Sequence, residues 1–172
     1  MNWYETIAFF THCLPKAVAR PLNALPDGSL REIRVRAGQS IRLSTRQGET
    51  ICPCEPTPQQ VAQMAEALCE HALYARAEEQ RSGFVTLRGG HRMGLCGRVI
   101  CQGQSIRALR DISSFCIRIA GQWRGAADGL IGQLTDENGR CRSALIVGLP
   151  GMGKTTLLRD SLRRLSEAGR RV

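Results

Sequence analysis

Hydrophobic and polar positions change period several times along the chain. Between residues 2 and 24, Trp3, Ile7, Phe10 and Leu14 recur at helical spacing, with Pro15 and Pro21 as interruptions. Two short helices broken at those prolines are expected. After the turn signal Pro26-Asp27-Gly28, Ile33 and Val35 alternate with Glu32, Arg34 and Arg36, the period of a half-buried strand. Gly38 ends that strand, and Ile41–Ser44 predicts a second. Thr57-Pro58 is an N-cap with proline at the first helical position. The helix it opens is expected to run to about Gln80 with Val61, Met64, Leu68, Ala72 and Ala75 as its apolar stripe. Phe84–Leu87, Arg92–Cys101 and Ser114–Ile119 read as strands, with Gly89-Gly90 as a hairpin turn. In the middle strand Met93, Leu95 and Val99 are expected on one face, and Arg92, Cys96 and Arg98 on the other.

Gly121–Gly139 is rich in glycine and polar residues and predicts a boundary, with a short helix near Ala127–Leu134. Ser143–Val147 is a short apolar run of the kind that forms a buried parallel strand. Gly148-Leu149-Pro150-Gly151-Met152-Gly153-Lys154-Thr155 follows at once and fits G-x-x-x-x-G-K-[ST], a P-loop or Walker A motif. Thr156–Leu165 then reads as a helix with Leu158, Leu162 and Leu165 on one face. Strand, loop and helix therefore stand in the order that phosphate binding requires. Glycines let backbone N–H groups turn inward around an anion, and the helix N-terminus adds partial positive charge. Lys154 can reach the β- and γ-phosphates, the Thr155 hydroxyl can ligate Mg²⁺, and Thr156 follows in the first turn. The expected ligands are ATP or GTP, with Mg²⁺.

The formal net charge is +9, unevenly spread: residues 55–80 are net −4, whereas residues 139–172 around the loop are net +6. Basicity around a phosphate site is weak support for nucleic-acid binding. Few aromatic residues lie in the strands to stack on bases, so nucleic acid is not the favoured partner. The eight cysteines form no C-x-x-C pair and are expected to be reduced, mostly buried thiols. Neither a signal peptide nor a membrane span is legible, so a cytoplasmic address is expected.

Several segments resemble the stage III sporulation protein AA family. They are Leu30–Leu43, Ala72–Ala75, Glu78–Leu95, Ile112–Ile119 and the loop followed by Thr155-Thr-Leu-Leu-Arg-Asp160. Gly-Gly-His-Arg-Met-Gly at 89–94 is more specific than the P-loop, and Leu149 and Met152 fall at variable loop positions. The resemblance implies an AAA-type P-loop ATPase similar to the type II/IV secretion and pilus-retraction ATPases. Its expected fold is an α+β N-terminal domain followed by the start of a RecA-like α/β P-loop NTPase domain. The expected division is residues 1–120, a linker or hinge at 121–139, and the beginning of the ATPase domain at 140–172. The resemblance further implies a hexameric ring acting with membrane-embedded sporulation channel proteins, at the inner face of the membrane between mother cell and forespore. It makes Lys154 a catalytic residue, and Arg92 and Arg98 candidate contacts to the nucleotide. His91 is expected to be a turn residue. An acidic Walker B strand does not appear in the 18 residues after Lys154. The chain is therefore expected to be truncated after Walker A, and inactive in hydrolysis by itself.

Overall fold

The computed structural model describes residues 2–73, 77–103, 105–121, 125–137 and 140–170. Helices and strands are mixed, and the chain divides into two compact units, Met1–Gly121 and Gln122–Val172. No helix among the described residues is long and apolar enough to cross a membrane.

The first unit opens with α1 (Trp3–Cys13), capped by Asn2 in a reciprocal capping box with Glu5, and α2 (Lys16–Asn23). Pro21 lies inside α2 and does not break it, because a helix of two turns has few hydrogen bonds for proline to remove. Three strands follow: β1 (Leu30–Arg36), β2 (Ile41–Thr45) and β3 (Glu49–Cys52). The helix α3 (Pro58–Leu68) begins as expected, with Thr57 and Gln60 forming a capping box.

The helix ends much sooner than its periodicity suggested. The N–H of His71 donates to the carbonyl of Glu66 and that of Glu70 to Ala67, a Schellman arrangement built without glycine. Glu70 and His71 accordingly sit at φ +53° and +59°. Ala72 is therefore outside the helix, Ala75 lies outside the described residues, and α4 (Ala77–Arg81) is a separate turn.

The remaining strands are β4 (Phe84–Thr86), β5 (Arg92–Gln102) and β6 (Ser105–Arg118). All neighbours in the sheet are antiparallel, in the order β3-β2-β1-β6-β5-β4. Register places Leu43, Ile33, Ile117, Met93 and Val85 side by side across five strands, and all are buried. Alternate positions form the other face. One row runs Ser44, Glu32, Arg118, Arg92, Thr86, and the next runs Arg42, Arg34, Cys116, Gly94, Phe84. Helices α1, α2 and α3 pack their buried residues into the same core as the apolar face. Two-period alternation thus separates a helix-covered face from an open, arginine-rich one.

The β5–β6 pairing is interrupted between Cys96 and Arg98, where Asp111 adopts φ +49°. The extra residues of the bulge lie on β6, so β5 keeps its alternation: Val99 pairs with the buried Leu109 on the side of Met93 and Leu95, though Val99 itself is 48% exposed. The cysteines also depart from expectation. Only Cys52 and Cys69 are buried, whereas Cys96, Cys101 and Cys141 are exposed.

In the second unit, residues 125–133 form consecutive turns, including Ile131 N–H to Ala127 O, rather than the expected helix. Residues 143–147 have no ladder partner among the described residues, and Leu145 and Val147 are 88% and 82% exposed. The expected buried strand is absent: apolar periodicity favours extended backbone, but a strand also needs a neighbour to bond. The unit closes with α5 (Lys154–Glu167).

Candidate nucleotide site

The loop between Val147 and α5 is shaped by its glycines. Gly151 and Gly153 take φ +83° and +80°, a region that residues with a Cβ enter at a cost. Gly153 is the N-cap of α5 and brings no side chain to the cap. Its carbonyl accepts from Leu157, which leaves the first-turn N–H groups of Lys154, Thr155 and Thr156 without intrahelical partners. Pro150 helps turn the loop, and Met152 N–H donates to Leu149 O at 3.3 Å. The Lys154 Nζ folds back over this ring and donates to the carbonyls of Gly148 at 2.9 Å and Leu149 at 2.8 Å. An ammonium, a helix N-terminus and free amides therefore converge on one small loop. Thr155 is exposed, with its hydroxyl on the first turn.

Beside the loop a groove of about 540 Å³ runs along α5 between Lys154, Thr155, Leu158, Leu162 and Ile146. Leu158 and Leu162 are 47% and 42% exposed, whereas Leu165 is buried. Deeper on the same helix Asp160 is only 4% exposed. Its carboxylate accepts the Ala127 N–H at 2.9 Å and pairs with Arg163 at 2.6 Å. Burial pushes the Asp160 pKa up, but the backbone amides of Ala127 and Gly125 and the Arg163 guanidinium outweigh it, and the net shift is downward. Asp160 is thereby committed to holding residues 125–128 on α5. Sequence reasoning placed it on the helix without seeing this role. An acid in the second turn of the helix that follows the loop is the signal that could have prompted the question.

The other singled-out residues lie in the first unit. The Arg92 guanidinium sits 3.9 Å above the centre of the Phe84 ring. Arg98 pairs with Asp111 across the bulge at 2.7 Å. The two arginines thus occupy different local settings on β5. His91 is not an exposed turn residue but part of the core, 2% exposed, with its ring 5.2 Å from that of Phe10. Its Nδ1 accepts the Ala120 N–H at 2.9 Å, so the proton of the neutral ring resides on Nε2. Burial lowers its pKa to about 4. A ring held neutral and without access to solvent anchors the β4–β5 turn.

Compared with known families, residues 14–172 match the model described as sporulation stage III, protein AA. The chain belongs to that family. It is 37% identical over 161 residues to stage III sporulation protein AA of Bacillus subtilis (strain 168), covering 92% of this chain and 52% of that protein. It therefore spans about half the length of the curated relative it matches. Among solved structures, it is similar to the VirB11 ATPase of the Brucella suis type IV secretion system in complex with sulphate. That alignment has 15% identity and a TM-score of 0.40, covering 95% of this chain and 42% of the other. A second is the Legionella pneumophila ATPase DotB, at 13% identity and TM-score 0.43, covering 92% and 42%.

Proposed function

We propose that Gly148–Thr156 binds the phosphates of ATP with Mg²⁺, and that this chain is the nucleotide-binding part of a P-loop motor ATPase of the sporulation stage III protein AA family. In this reading the first unit is an α+β domain, and the second begins a RecA-like ATPase domain. The observation that carries it is Lys154 Nζ lying over the Gly148 and Leu149 carbonyls at the uncapped start of α5. A bound phosphate would take over Lys154 from those carbonyls, exchanging two neutral acceptors for a charged one. Thr155 would hold Mg²⁺ from the same turn. The full-length protein would work as a homo-oligomeric ring at the cytoplasmic face of the membrane, energising a channel between mother cell and forespore with its membrane-embedded proteins.

Turnover also requires a carboxylate that orders Mg²⁺ and water. Asp160 is occupied by Ala127 and Arg163, so the activity proposed for this chain is binding. The test is calorimetric titration with ATP and Mg²⁺. Binding should weaken about tenfold or more in Lys154→Ala, a loss of about 1.4 kcal/mol or more. Equal affinity of the two proteins would overturn the assignment.

A further inference from the structure

The first unit has two unlike sides. Its open sheet face carries Arg34, Arg36, Arg42, Arg92 and Arg118 against Glu32 and Glu49. A shallow depression of about 560 Å³ lies on that face, bordered by Arg34, Arg36, Arg42, Ser40 and Ser114. The helical side includes α3, and residues 55–81, from ahead of α3 to the end of α4, hold five acidic side chains and two basic. Glu55, Glu70 and Glu78 are exposed, and Glu66 is half-buried. Since α3 packs on the opposite side of the sheet from the arginines, one copy presents a basic front and, around α3, a patch of negative excess in which Glu70 is paired with Arg88.

We propose that the open arginine face of one copy docks on the α3–α4 side of a second copy. The charge pattern selects this occupant over a polyphosphate. Arg34 is paired with Glu32, and Arg42 with Glu49 at 2.6 Å, so the face is mixed in sign with a positive excess. The complementary surface should be mixed with a negative excess, which describes the α3–α4 stretch, where Gln59, Gln63 and His71 stand among the glutamates. Nucleic acid would instead favour unpaired cations and open rings, and the Phe84 ring is covered by Arg92. Front and back are different surfaces, so the contact is heterologous, and repeating it builds a ring or a filament. This inference rests on the self-association part of the reading above and is independent of the phosphate loop.

Sedimentation velocity of the 172-residue chain without nucleotide tests it, with circular dichroism as the check on folding. The wild type should associate near 50 mM salt, and its apparent Kd should rise about tenfold by about 300 mM, since screening weakens such contacts. Association through exposed apolar residues such as Leu145 would not weaken with salt. Arg36→Glu with Arg118→Glu should give monomers, as should Glu66→Lys with Glu70→Lys. Mixing the two variants should restore association, because the reversed front then meets the reversed back. A monomeric wild type at low salt, or reversed variants that associate like the wild type, would overturn the proposal. So would a mixture that stays monomeric. Retardation of random RNA, abolished by the front variant while sedimentation is unchanged, would reassign the face to a polyanion and equally overturn it. Loss of ATP binding with association intact would count only against the phosphate loop.

Discussion

A Cβ placed on Gly97 would lie 2.5 Å from the carbonyl oxygen of Arg110 on the neighbouring strand. The bulge at Asp111 brings that backbone in so closely that only glycine fits opposite it. Gly97→Ala should therefore force the β5–β6 ribbon apart, destabilising the first unit by about 1–3 kcal/mol. Urea unfolding followed by circular dichroism measures this. An unchanged midpoint would mean that the bulge yields freely.

The buried Asp160 makes a different prediction. Its folded pKa lies below the ordinary value, so its ionised form stabilises the second unit above the unfolded pKa, and that stability is lost as pH falls through the folded one. Asp160→Asn keeps an acceptor but removes the charge facing Arg163. Hydrogen exchange at the Ala127 amide should speed up in the variant at neutral pH, while amides of the first unit keep their protection. Unchanged exchange at Ala127 would show that the carboxylate does not hold this segment.

His91 sets a pH dependence for the first unit. With a folded pKa of about 4 against 6.5 in the unfolded chain, the unfolded state takes up the proton first as pH falls. The contribution is complete above pH 6.5 and drains away between 6.5 and 4, and the loss reaches about 3 kcal/mol at the acidic limit. His91→Asn should be less stable at neutral pH because the ring leaves Phe10, yet its stability should fall less between those values. Parallel pH curves for wild type and variant would contradict the assignment.

The proposed reading of Arg92 and Arg98 is tested by turnover in a chain of the family's full length. If they serve developing phosphate charge, alanine at either should lower turnover by about 10³-fold while ATP affinity changes little. The contrast is measured by steady-state hydrolysis beside equilibrium binding. Wild-type turnover in both folded variants would leave Arg92 as a partner of Phe84 and Arg98 as a partner of Asp111.

Local chemistry was the most legible part of the sequence. Thr57, Pro58 and Gln60 announce the start of α3, and the glycines of the loop announce the φ values found at Gly151 and Gly153. The end of α3 was hidden because Glu70 and His71 take the left-handed conformation that glycine usually marks. The first half of β6 was missed as well. Ser105–Arg110 carries no clear alternation, and it is a strand because β5 bonds it. Tertiary contacts likewise decided His91, whose Gly-Gly-His setting suggests a surface turn until Phe10 and Ala120 enclose it. In the candidate site the loop was readable from spacing alone, whereas the bond from Asp160 to Ala127 joins positions 33 residues apart.

The strand order has a consequence for synthesis. β1 lies between β2 and β6, so Arg34 waits for Cys116 before its outer edge is paired. Translation adds residues at about 5–20 per second, so the β1–β2 hairpin must persist for several seconds with an open edge before β6 is made. Closing so long a loop also slows folding after release, as non-local pairing does generally. For the nascent chain, the arginines of β1 and its one glutamate, Glu32, set among the apolar positions, serve as gatekeepers, keeping an unpaired strand from finding the wrong neighbour.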